Sequence, residues 1–178
     1  MAETYELAVS EPELASATSP YTGESINRFL HIAESNEDLF LQNKMQRKLG
    51  QLTGTCFQRC VGMDAFNALH SVTFEIDEKH NTEYHKNFIN FLTEMHKYNL
   101  VIGGAMTDVK GDRSKLPHEQ EDEDVYLRIV KRTQDGVYVK GAKAHQTGCI
   151  NSHWMVVMPT LRLSCLLYTS DAADERLS

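Results

Sequence analysis

Apolar positions follow a helical period in the first half of the chain and a strand pattern in the second. Leu39, Leu41, Met45 and Leu49 recur at helical spacing after Ser35. Ser35 can accept a bond from a first-turn amide, and Glu37 and Asp38 bring negative charge to the positive end of the helix dipole. A helix is therefore expected from this point, with Gly50 and Gly54 allowing it to end. Thr55 is a plausible cap for a second helix, through about Ile76, whose apolar set is Cys56, Cys60, Met63, Phe66 and Leu69. A third helix starts near Asn81 or Thr82 and carries Tyr84, Phe88, Phe91, Leu92 and Met95; His96, Lys97 and Asn99 suit its C-terminal end. Upstream, Glu3 to Val9 reads as a short helix and Ser19-Pro20-Tyr21-Thr22-Gly23 as a turn.

After residue 99 the period changes. Leu100-Val101-Ile102 reads as a strand entering a loop at Gly103-Gly104. Thr107 to Asp124 is a long polar connection, and its acidic run, Glu119 to Asp124, reads as solvated surface. Val125 to Val130 is an expected strand, Asp135-Gly136 a hairpin signal with Val137-Tyr138-Val139 returning, and Trp154 to Met158 a further strand. Helices followed by strands argue for an α+β chain or for two domains of different class.

The 178 residues correspond to one domain, or to one and part of a second. With 41% apolar and 24% charged residues the composition is globular. A net charge of −7 without a basic stripe argues against nucleic acid as a partner. The longest strongly apolar stretch, Trp154 to Met158, is far short of the ~20 residues that span a bilayer. Glu3 and Glu6 stand where a signal peptide needs basic residues, so a soluble, cytoplasmic protein is expected. Residues 165–178 have the order of a translated sequencing adapter and are expected to be a non-native tail, with native sequence stopping near Ser164 and Cys165 carrying no chemistry.

Three segments are candidates for chemistry. Cys56-Phe57-Gln58-Arg59-Cys60 places two thiols one helical turn apart. Such a pair can chelate a metal ion or two corners of an iron–sulfur cluster, or can simply fill a core. Two ligands leave a four-coordinate site incomplete, and His70 is too far along the same helix to reach readily. In the second segment, Lys110-Gly111-Asp112-Arg113-Ser114, Gly111 permits close backbone approach, Arg113 can pair with a phosphate and Ser114 offers a hydroxyl; an ordinary polar loop is the alternative. In the third, His145-Gln146-Thr147-Gly148, Gln146 and Thr147 supply hydrogen bonds and Gly148 lets a flat ligand lie close; satisfied strand-end residues are the alternative. Neither a Gly-x-Gly-x-x-Gly nor a Walker motif occurs, and there is no Gly-x-Ser-x-Gly elbow.

Together these segments resemble the 4-hydroxyphenylacetate 3-hydroxylase flavoprotein family, in its 4-hydroxybutyryl-CoA dehydratase branch. The resemblance rests on residues 44–50, Cys56 to Ala68, Tyr84 to Phe88, Gly104 to Asp108, Lys110 to Arg113 and Gly141 to Gly148, and runs on through Asn151-Ser152-His153 and Met158-Pro159-Thr160. The pair Cys56 and Cys60 is specific to the dehydratase branch; the family's monooxygenases hold no cluster. The resemblance implies an acyl-CoA-dehydrogenase-like fold, with residues 1–99 as part of an N-terminal helical domain and 100–164 as the start of a central β domain. It implies FAD and a 4Fe-4S cluster as cofactors, with Cys56 and Cys60 as two cluster ligands and Gln58 as a catalytic residue lining the site. Lys110, Gly111, Asp112, Arg113 and Ser114 would form an FAD-contacting loop, with Gln146 and Thr147 beside the reactive edge of the flavin. The implied reaction is radical dehydration of an acyl-CoA substrate, 4-hydroxybutyryl-CoA, to crotonyl-CoA, with vinylacetyl-CoA isomerase activity, in a homotetramer. A flavin-dependent hydroxylase of the 4-hydroxyphenylacetate type is the alternative. In the family the remaining cluster ligands, catalytic bases and C-terminal bundle lie outside the stretch matched here. The resemblance also implies that part of the family's first domain precedes Met1, so a fragment without turnover is expected.

Overall fold

A computed structural model of the chain describes residues 2–55, 60–146 and 148–158, and of residues 60–62 the backbone alone. The described residues mix helix and strand and form two compact units. One contains the described residues up to Gly103 together with 148–155; the other contains Gly104–Gln146 together with Val156 and the described residues after it.

The first unit opens with α1 (Ala2–Ser10) and α2 (Pro12–Ala15). The expected turn, Ser19 to Gly23, joins β1 (Ser16–Thr18) to β2 (Ser25–Asn27), an antiparallel pair in the register Ser16 to Asn27 and Thr18 to Ser25. Strands of three residues carry too little alternation to be read from sequence. They deliver Arg28 to an interior position, 5% exposed. Its guanidinium donates to the carbonyls of Leu14 (2.7 Å), Glu13 (3.0 Å) and Ser16, the end of α2.

Ser35 caps α3 (Asn36–Thr53): its Oγ accepts the Asp38 amide at 3.1 Å, and its hydroxyl donates to the Asp38 carboxylate at 2.8 Å. Gly50 lies inside the helix, and Gly54 ends it in the left-handed region (φ 62°), donating its amide to the Gly50 carbonyl at 3.0 Å. Met45 and Leu49 are fully buried, whereas Leu39 is 55% exposed. The inward position of the first turn belongs to Asp38, which meets His31 at 3.0 Å and so turns Leu39 to the edge. Desolvation pushes the Asp38 carboxyl up, but bonds from Ser35, Glu34 and His31 together outweigh it and hold it below the usual range.

The next helix, α4 (Cys60–His80), runs past the expected end at Ile76. Its expected start falls on residues 56–59, outside the described residues. Asp77, in its last turn, accepts from the Thr82 hydroxyl (2.6 Å) and from the amides of Tyr84 (2.9 Å) and His85 (2.8 Å), the first turn of α5 (Tyr84–Lys97). Asn81, at φ 52°, makes the reversal between the two helices. Across them Phe66 meets Phe88 and Phe91 edge-on, with ring centroids 5.9 Å and 6.2 Å apart. Leu7, Leu14, Ala15, Phe29, Met45, Leu49 and Met63 form a buried cluster.

His96 differs from expectation. It is 1% exposed and does not serve as a cation at the end of α5. Its Nε2–H donates to the Leu30 carbonyl (2.9 Å) and its Nδ1 accepts from the Ser19 hydroxyl (2.8 Å). Burial pushes its pKa down, the Leu30 carbonyl pulls the other way, and His31 adds to the lowering.

Of the strands, β3 (Ile102–Ala105) takes in both glycines that were expected to begin a loop. A Cβ on Gly103 would lie 2.5 Å from the Met155 sulfur and 2.7 Å from the Ser152 hydroxyl, so the neighbouring chain crosses directly over it. The pairing partner of β3 is β6 (Trp154–Val157), the expected last strand. In the second unit, β4 (Arg128–Thr133) and β5 (Gly136–Lys140) form the expected hairpin, with an irregularity between Ile129 and Lys131. The ladder starts three residues later than the Val125 expected from the apolar run, because Tyr126 bridges Ala142 instead of joining it.

Candidate functional site

The segment leaving β3 carries the second candidate segment, Lys110 to Ser114, and the second unit builds it from polar side chains. Asp112 accepts the Ser114 amide (3.0 Å) and the Ser114 hydroxyl (2.6 Å) on one carboxylate oxygen. Those bonds, the hydroxyl first, hold the Asp112 carboxyl below the usual carboxylate range, with Lys115 helping and desolvation opposing. Gln120 is buried and clamps the same loop: its Oε1 accepts the Asp112 amide and its Nε2 donates to the Asp112 carbonyl, both at 2.9 Å. A Cβ on Gly111 would lie 2.6 Å from Gln120 Oε1 and equally close to the Tyr126 hydroxyl. Gly111, Asp112 and Ser114 therefore face the loop's own frame. Lys110 and Arg113 are exposed, with no ion-pair partner among the described residues.

The acidic run stays at the surface, and part of it is engaged in local bonds. Asp124 pairs with Arg128 (3.0 Å) and Lys140 (2.5 Å) across the hairpin base, and the Lys140 bond leads the causes that lower its carboxyl. Glu119 accepts the Leu116 amide at 2.9 Å.

The third candidate segment lies beside the second. Ala144 donates its amide to the Thr107 carbonyl at 2.8 Å, and Asp108 and Lys143 form an antiparallel bridge. Gly141, at φ 124°, lets the chain pass against the Tyr126 carbonyl, where a Cβ would collide. Gln146 is half-buried and donates to the Ala144 carbonyl. Sequence reasoning missed Lys143 as a separate group. Its side chain is 7% exposed and its ammonium donates to Asp108, to the Met106 carbonyl (3.0 Å) and to the Met158 carbonyl (2.8 Å). Alanines flank it, and nothing in that local pattern marks a buried cation.

Cys56, Gln58 and Thr147 lie outside the described residues, as do the side chain of Cys60 and the tail from residue 165. Cys60 is the first residue of α4. Among the described residues no group of three or more His, Cys, Asp or Glu side chains could hold a metal ion, and no helix is long and apolar enough to cross a membrane.

A helical unit followed by a small β unit, with two polar segments bound side by side in the latter, matches one family. Residues 1–165 fit the family model described as the N-terminal part of 4-hydroxyphenylacetate 3-hydroxylase, and the chain belongs to that family. It is 52% identical over 167 residues to the 4-hydroxybutyryl-CoA dehydratase/vinylacetyl-CoA-Δ-isomerase of Clostridium aminobutyricum, covering 92% of this chain and 34% of that protein. An oxygen-tolerant archaeal 4-hydroxybutyryl-CoA dehydratase from N. maritimus superposes with a TM-score of 0.85 at 70% identity, over 92% of this chain and 33% of the other. The oxygenase component of 4-hydroxyphenylacetate 3-monooxygenase, complexed with FAD, shares the fold at a TM-score of 0.71 and 18% identity, over 94% of this chain and 34% of its own. The chain thus spans about a third of the length of these relatives.

Proposed function

We propose that this chain is a portion of a 4-hydroxybutyryl-CoA dehydratase with vinylacetyl-CoA isomerase activity, an enzyme that uses FAD and a 4Fe-4S cluster. The observation that carries the reading is the 70% identity, over 92% of the chain, to the archaeal dehydratase. The 4-hydroxyphenylacetate monooxygenase relatives are far more distant, at 24% identity over 169 residues in the Geobacillus protein. In this reading residues 1–99 belong to the helical domain of an acyl-CoA-dehydrogenase-like fold, 100–164 open its β domain, and the tail from 165 is foreign. The intact enzyme is a cytoplasmic homotetramer acting on an acyl-CoA.

The donor set of the 110–114 loop suits a flavin's pyrophosphate. Its one carboxylate is engaged by Ser114, while Lys110 and Arg113 remain exposed cations without an ion-pair partner among the described residues. Gln146, half-buried, precedes Thr147 in the sequence, whose hydroxyl would bond the flavin's reactive edge. Cys56 and Cys60 would supply two of four cluster ligands, the others coming from outside this chain, and Gln58 between them would face the substrate. When bound, the flavin supplies one-electron chemistry that acidifies the hydrogen β to the thioester, and the cluster supplies a Lewis acid for the leaving hydroxyl. The chain's own part is to hold these groups and to orient the acyl-CoA.

The test uses a full-length chimaera in which this chain's matching residues replace their counterparts in the archaeal dehydratase. Cys56→Ala or Cys60→Ala is expected to lower iron per chain and abolish dehydration of 4-hydroxybutyryl-CoA. Full iron content with full turnover would reject the ligand assignment. Hydroxylation of 4-hydroxyphenylacetate by the unsubstituted chimaera would favour the monooxygenase reading.

A further inference from the structure

Lys143 has no task in the proposed chemistry, yet its burial needs one. Its ammonium carries three protons, and all three are committed: to Asp108, to the Met106 carbonyl at 3.0 Å and to the Met158 carbonyl at 2.8 Å. With its side chain 7% exposed and that of Asp108 11% exposed, the pair is withdrawn from water. A lysine with every donor engaged is poorly placed to serve as a base, a nucleophile or a contact for a substrate anion. Buried ion pairs contribute little net stability, and their best-attested use is to specify register.

The register here is specific. The backbone pairs Asp108 with Lys143, Ala144 donates to Thr107 at 2.8 Å, and Met158 donates to Ala105 at 3.0 Å. A slip of one residue would turn Lys143 to the opposite face and leave the Asp108 carboxylate buried without its cation. The segment around Lys143 is otherwise poor in register signals, since alanines flank it and a half-exposed alanine fits either face. The charge pair supplies the discrimination that the apolar pattern lacks.

What this register spaces is the candidate site itself. Asp108 lies two residues before Lys110, and Lys143 three before Gln146. We infer that Lys143, locked on Asp108 and on the Met106 and Met158 carbonyls, is a positioning residue: it holds the 110–114 loop and Gln146 at the separation a bound flavin requires. The inference rests on the flavin reading above and adds a residue to it that touches no cofactor.

The full-length chimaera tests it, with Lys143→Met, Asp108→Asn, and the double variant Asp108→Leu/Lys143→Met, which leaves no lone buried charge. FAD affinity is read by quenching of flavin fluorescence, and the flavin's setting by its visible circular dichroism. Lys143→Met is expected to weaken FAD binding by about tenfold or more and to alter the flavin dichroism, as displaced positioning groups do. Iron content should stay unchanged. Asp108→Asn keeps an oxygen for the ammonium and should retain the wild-type dichroism. If Lys143→Met does not fold, the double variant is titrated instead and should show the same loss. A folded Lys143→Met or double variant with wild-type affinity and dichroism overturns the inference. Failure of the double variant to fold also overturns it, assigning the pair to folding alone. An unsubstituted chimaera that binds no FAD is a different result, and removes the flavin reading on which the inference stands.

Discussion

Replacing His96 by leucine tests the claim that a neutral imidazole organises the interior of the helical unit. The ring makes two bonds, to Ser19 at 2.8 Å and to Leu30 at 2.9 Å, and is 1% exposed. Leucine fills a similar volume and leaves the Leu30 carbonyl and the Ser19 hydroxyl hydrogen without their partner. Each buried group left unsatisfied costs about 1–3 kcal/mol, so the loss is about 2–6 kcal/mol. That is a large share of the ~5–15 kcal/mol that holds a domain folded. For a chain of this size a mid-range loss lowers Tm by roughly 10 °C. The pH dependence separates this account from simple repacking. Burial pushes the His96 pKa below its ordinary value, so the folded ring stays neutral while the unfolded chain takes up a proton below about pH 6.5. The unfolded state then binds more protons, and wild-type stability falls as pH drops through that value, by at most about 1.4 kcal/mol per pH unit. His96→Leu has no such proton to bind. The stability gap between the two proteins should therefore be widest near pH 8 and narrow by up to about 2 kcal/mol at pH 5. Urea unfolding followed by circular dichroism across this range measures the gap. An equal gap at both ends, or a leucine variant as stable as wild type, would refute the reasoning.

Arg28→Met should lower the urea midpoint sharply, by about 3–5 kcal/mol of stability, because three carbonyls at the end of α2 lose their donor together. The Asp77 carboxyl is held below its usual range; desolvation opposes this, but the bonds from Thr82, His85 and Tyr84 outweigh it. Its contribution is present above the unfolded carboxylate value and is lost as pH falls through the folded one, so Asp77→Asn should flatten the acid limb of a melting-temperature profile against pH. Gly111→Ala would push a methyl group to 2.6 Å from Gln120 and Tyr126 and unseat the clamp on the 110–114 loop; tryptic cleavage after Lys110 and Arg113 should accelerate, and an unchanged digestion rate would count against the clamp.

Local chemistry was sufficient wherever an element is decided by its nearest neighbours. Ser35 with Asp38, the left-handed residue Gly54, the apolar spacing of α5 and the Asp135-Gly136 turn act within a few residues, so the sequence determined α3, α5 and the hairpin. The paired thiols at Cys56 and Cys60, and the loops around Arg113 and Gln146, were legible in the same way as residue types at a spacing. Tertiary structure decided what depends on partners far along the chain. His96 looked like a cation at a helix end until Ser19, 77 residues earlier, and Leu30, 66 residues earlier, met it in the interior. Arg28 became a core residue because α2 turns its carbonyls inward, and Leu39 was displaced to the edge because Asp38 was drawn to His31. Lys143 gives the sharpest case: one ammonium between two alanines becomes a buried tie only when Asp108 and Met158 are brought to it. Burying a charge is unfavourable unless every donor finds an acceptor, and those acceptors lie on segments just beyond β3 and β6, which sequence proximity does not connect to Lys143.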